Sequence, residues 1–130
     1  MNKNTLGYKL VQGWIDTVSE HDIGPILEWY DKDAILLGTL APEPLVGIEE
    51  IESYFEMFVE YEPEAEITYI YPQRLGVNVI VCDGNYTFEL NDDEGGREMV
   101  DARFTYVFKR DDKDGEWYIS THHSSVNPEE

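Results

Sequence analysis

From Glu64 onward the side-chain pattern repeats every second residue, whereas before it apolar residues recur every three or four. This change of period divides the chain into a helical front and a sheet-forming back. It restricts the fold to an α+β arrangement in which helices cover one face of a sheet. In the front, Leu6, Leu10, Trp14 and Val18 recur at four-residue spacing and Val11 and Ile15 widen the stripe, which predicts a helix over 4–20. "PILEWYDKDA" predicts a shorter helix over 25–34, with Pro25 tolerated in its first turn, and "AILLG" a short strand over 34–38. "EPLVGIEEIESYFEMFVEY" predicts a third helix over 43–61, with Ile48, Ile51, Phe55, Phe58 and Val59 on one side and glutamates on the other. In the back, strands are expected over 64–73, 75–90, 97–110 and 116–125, the last three joined by the turns "NDDEGG" and "DDKDG". Gly84 lies inside the second of them and is expected to mark a bulge or bend. With no repeat, no low-complexity block and no long linker, residues 1–130 are expected to form one domain.

Charge sorts the partners. Twenty-eight acids against nine bases give a net charge of −19, and no Lys or Arg occurs between Asp33 and Gln73. Such a surface repels phosphate backbones and anionic lipid, so neither nucleic acid nor membrane is an expected partner. A hydrophobic content of 42% with 13% aromatics nevertheless implies a folded core. Apolar runs such as "VNVIVC" are too short to span a bilayer, and "MNKNTLGYKLVQGW" has no apolar signal region, so the expected location is cytoplasmic. In that compartment the sequon "NYT" at Asn85 carries no sugar, and Cys82, the only cysteine, reads as a buried structural thiol.

The chemistry-bearing residues cluster at the end of the chain, in "GEWYISTHHSSVNPEE". Nucleophilic catalysis by Ser124 or Ser125 is disfavoured, because neighbours on a strand point to opposite faces and the nucleophile-elbow pattern is absent. His122 and His123 diverge for the same reason, so no metal site is expected, and the "DDKDG" turn lacks acids at the first and twelfth positions of a calcium loop. No glycine-rich phosphate loop or dinucleotide fingerprint implies a cofactor. General acid–base candidates are His122 and Asp101, which shares strand parity with Arg103 and Thr105.

The long first helix, "G-x-E-E-I-x-x-Y-F" from Gly47, the strand "ARFTYVFKR" and "G-x-W-x-I-x-x-H-H-S-S-x-x-P" from Gly115 together resemble the nuclear transport factor 2 superfamily. Within it the chain is most similar to SnoaL-like proteins and to the association (hub) domain of calcium/calmodulin-dependent protein kinase II. The resemblance implies a cone: a strongly curved antiparallel sheet wrapped around the long N-terminal helix, with two further helices and a pocket at the open end. It implies self-association as a homodimer or higher oligomer, through an outer sheet face carrying Tyr106, Phe108 and His123. In the hub three arginines line a carboxylate pocket. Their positions fall here at Thr105, at Ser124 and near Tyr86, so the basic residues are lost and only Arg103 could supply a cation. The expected ligand residues are thus Tyr86, Arg103, Thr105, His122 and Ser124, around a small neutral or weakly anionic ligand. The reading is a non-catalytic, self-associating domain with a small internal pocket. The alternative is a SnoaL-like isomerase, cyclase or dehydratase that acts on a hydrophobic metabolite through a pocket Asp or His.

Overall fold

The computed structural model of the chain describes residues 1–129. Helix α1, Leu6–Val18, begins where Thr5 Oγ1 accepts the Tyr8 amide at 3.3 Å, and it buries Leu10, Val11, Trp14, Ile15 and Val18. This cap satisfies one of the free amides of the first turn, and the fourfold spacing puts the large side chains on one stripe. Helix α2 is short, Ile23–Leu27, and α3 spans Ile48–Phe58, burying Ile51, Tyr54, Phe55 and Phe58 and turning its glutamates outward. A 3₁₀ turn, Val59–Tyr61, ends it.

Six strands follow the order β2-β1-β6-β5-β4-β3. They are β1 (Tyr30–Leu37), β2 (Leu45–Val46), β3 (Glu64–Arg74), β4 (Val79–Asn91), β5 (Arg97–Arg110) and β6 (Trp117–Val126). All neighbours are antiparallel except β1 and β6, which run parallel. The sheet is curved, as in cone folds, and its buried row includes Ile80, Cys82, Tyr86, Phe88, Ala102, Phe104, Tyr106, Phe108 and Ile119. No helix of the described residues is long and apolar enough to cross a membrane.

Three local expectations differ from the structure. The helix expected over 25–34 stops at Leu27, and residues from Tyr30 onward form β1 instead. There Tyr30, Ala34 and Leu36 are buried while Asp31, Lys32 and Asp33 are exposed, so pairing to β6 overrides the local helical pattern. The front of the third helix is likewise the short strand β2. Gly84 is no bulge, since β4 pairs with β5 without interruption through Gly84↔Phe104. A Cβ there would run into the Tyr69 carbonyl and approach Phe104 Cζ to 2.8 Å, so the glycine permits close approach of backbone and ring.

A real bulge lies in β6. Val107 pairs with Thr121 and Phe108 with Ile119, which leaves Ser120 as the extra residue. Ile119 faces the core, and the extra residue then makes His122 and Ser124, rather than Thr121 and His123, the next buried positions.

Candidate functional site

His122 sits at the centre of an aromatic cage, 2% exposed. Tyr106, its direct partner on β5, stacks on it with ring centroids 3.9 Å apart, and Trp14 of α1 meets it edge-on at 5.1 Å. Both ring nitrogens are engaged: Nδ1 lies 2.9 Å from Tyr30 Oη, and Nε2 lies 3.3 Å from Tyr86 Oη. Trp14 Nε1–H donates to Tyr30 Oη at 3.1 Å, so the Tyr30 hydroxyl is free to donate its own proton to Nδ1. In that tautomer Nε2–H donates to the Tyr86 hydroxyl oxygen. Four elements (α1, β1, β6 and β4) are thus joined through one imidazole.

Burial sets the electrostatics. It pushes His122 down to about 3, with His123 adding to the shift, so the ring is neutral at pH 7. Burial likewise raises the phenols of Tyr30, Tyr86 and Tyr106 well above their ordinary value and Tyr54 to about 12. The Tyr106 hydroxyl lies beside that of Tyr86 without reaching hydrogen-bond geometry and is left without a partner. Cys82, also buried, is pushed up to about 12, which makes it an inert thiol rather than a nucleophile.

Beside the cage lies a small cavity bounded by Trp14, Phe55, Phe58, Phe88 and Leu36 and, at its polar end, by Tyr86, His122, Ser124 and Thr39. Its water-accessible space is about 10 Å³, on the order of one water molecule. Ser124 Oγ and Thr39 Oγ1 are 2.5 Å apart, which ties the segment after β1 to β6. None of the residues lining the cavity is an acid, a lysine or an arginine, and among the described residues no cluster of acids, histidines or cysteine could hold a metal.

The match to known proteins is decided by residues 6–128, which fit the family model of the calcium/calmodulin dependent protein kinase II association domain. The chain belongs to that family. A solved structure from Xanthomonas campestris, classed with the same association domains, is 32% identical, is covered to 94% by this chain, covers all of it, and superposes with a TM-score of 0.91. A ketosteroid isomerase-like protein from Erwinia carotovora atroseptica is 14% identical over 93% of each chain, with a TM-score of 0.76. A hexachlorocyclohexane dehydrochlorinase is 18% identical over 92% of this chain and 81% of its own, with a TM-score of 0.76. These last two likenesses concern the fold alone. No curated protein matches the sequence.

Within this association domain the expected site residues separate onto two faces. Tyr86, His122 and Ser124 meet at the cavity. Arg103 and Thr105 do not share their face, which corrects that expectation: Thr105 pairs with His123 and Arg103 with Ser125, all on the outer side. Inner and outer rows alternate, and paired residues share a face, so Tyr106 opposite His122 excludes Thr105 from the cavity. The three positions where the hub carries arginines therefore do not converge here. Asp101 is also exposed on the outer face, where it accepts from Thr87 Oγ1 at 2.7 Å, so it is not a pocket acid. Tyr106 and Phe108 are fully buried in the core and cannot form an outer contact; His123 is exposed on the outer face. The sequence reading missed Trp14 and Tyr30 as partners of His122, and Thr39 and Tyr54 as walls of the cavity. Trp14 had a signal in its helical stripe, whereas the others are brought in only by tertiary pairing.

Proposed function

We propose that the chain is a non-catalytic, self-associating domain whose outer sheet face meets a second copy and whose interior offers one small, neutral pocket. The observation that carries this reading is the contrast between the two faces of one sheet. The inner face is closed and contains no ionised group, whereas the outer face leaves Ile35, Val46, Tyr69, Tyr71 and Met99 exposed, Tyr71 at 63%. Apolar residues of that size spread over a strongly acidic chain are suited to burial against a partner. Membership of the association-domain family supports a second copy as that partner. The outer row also carries both signs, Arg103 beside Asp83 and Asp101, so a two-fold contact can set base against acid.

Light scattering at micromolar concentration is expected to give at least a dimer of the 15.1 kDa chain. His123→Glu and Tyr71→Glu, which add like charges to both copies, are expected to lower the mass toward the monomer. A monomer mass for the unaltered protein would overturn the proposal.

The SnoaL-type enzyme reading rests on one observation, the Tyr30–His122–Tyr86 string, which could pass a proton. It lacks a carboxylate in the cavity, and a ring held at about 3 is a weak base at neutral pH. The self-associating reading accounts for more of the molecule.

A further inference from the structure

We infer that Tyr54 is a built-in plug of the internal pocket, and that the pocket's ligand class is a neutral monocyclic phenol that takes the place of its side chain. The inference rests on the pocket proposed above and names what keeps it closed and what would open it. Tyr54 projects from α3 and is 7% exposed. Its ring stacks on Phe58 at 5.5 Å and meets Phe55 edge-on at 5.2 Å, so a benzenoid ring already fills the space beside the cavity. Its hydroxyl accepts from the Leu40 amide at 3.4 Å, long for a hydrogen bond of this kind. The latch is therefore weak.

Gly38 makes room for this ring. A Cβ at that position would stand 2.6 Å from both Cε1 and Cζ of Tyr54 and 3.0 Å from its hydroxyl. The space beside Gly38 is thus kept clear for a flat ring, that of Tyr54 or of a ligand in its place. The segment Gly38–Leu40 is held on one side by Tyr54 and on the other by the Thr39–Ser124 contact. Ring, segment and cavity form one unit.

The wall defines the ligand. Trp14, Phe55, Phe58 and Phe88 offer ring faces and edges, and no charged side chain lines the cavity. A charged ligand would lose its hydration with nothing to replace it, whereas a neutral hydroxyl can pair with Ser124, Tyr86 or the amide that Tyr54 now engages. The cavity alone admits about one water. Removing the phenol side chain enlarges it toward the size, about 150 Å³, at which an apolar protein cavity accepts a benzene-sized guest.

The probe is p-cresol, the Tyr54 side chain as a free molecule, with p-toluate as its charged counterpart. Binding is read by ligand-detected NMR and by the shift in thermal midpoint for the unaltered chain, Tyr54→Val and Tyr54→Ala, with circular dichroism to verify folding. We expect weak binding to the unaltered chain, at least tenfold tighter binding to both Tyr54 variants, and none of p-toluate. Should Tyr54→Ala not fold, Tyr54→Val, which removes the ring and keeps an apolar side chain at the position, carries the test. Equal affinity for all three proteins would remove the plug and leave the pocket. Binding of p-toluate as tight as that of p-cresol would overturn the ligand class. No binding to any protein would overturn plug and pocket together, while light scattering on the same samples reports self-association independently.

Discussion

Burial of His122 couples stability to pH. Its folded value of about 3 lies below the ordinary 6.5, so on acidification the unfolded chain takes up a proton before the folded one does. The contribution is fully present above the unfolded value and is lost progressively as pH falls from there toward 3. It amounts to about 3 kcal/mol between neutrality and pH 4. Thermal unfolding is therefore expected to weaken over that range, and His122→Gln to show a shallower dependence than the unaltered chain under the same buffers. An unchanged slope would place the acid sensitivity elsewhere. His122→Ala is expected to destabilise by about 2–4 kcal/mol, since it leaves a void and strips Tyr30 and Tyr86 of their shared partner. A urea titration measures this, and a loss under ~1 kcal/mol would show that the cage collapses around the gap. His123, exposed on the other face, is expected to tolerate alanine without such loss.

At the scale of strands and helices, close approach sets the tolerances. Gly84→Ala would press a methyl group into the Tyr69 carbonyl and the Phe104 ring, so a loss of about 1–3 kcal/mol is expected in a urea titration. A neutral result would mean that β3 can shift outward. The elements legible in the sequence were those whose pattern is local. The fourfold stripe of α1 and the alternation of β4, β5 and β6 each follow from a face that must be buried. The start of β1 was not legible, because "YDKDAILL" alternates only after its charged residues and depends on β6, some ninety residues later, for pairing. The placing of Arg103 and Thr105 failed for a related reason. Parity within a strand is readable, but which parity faces inward on two neighbouring strands depends on register, and the extra residue Ser120 resets it in β6. His122 and Ser124 line the cavity together, on the face that Tyr106 shares. Nothing local announces that Tyr54 would meet Gly38, because sixteen residues and a change of element separate them.

For the molecule as a whole, charge is the dominant unbalanced force. Among the described residues, acid–base ion pairs are made by Arg97, at 3.5 Å to Glu64 and 3.8 Å to Glu89, against a total of 28 acids. Raising salt to roughly 0.5 M shortens the screening length to about 4 Å, and the thermal midpoint is expected to rise. A flat or falling midpoint by differential scanning calorimetry would mean that the acids are balanced locally. The string from Trp14 through Tyr30 and His122 to Tyr86 has a further consequence at this scale. It fastens the first helix to the last strand, so the two ends of the chain gain their order together. The indole proton of Trp14 then becomes a clock for the entire fold. It can exchange with solvent only when helix and sheet part, and its exchange rate is expected to match that of the slowest β6 amides and to fall with them as the protein is stabilised.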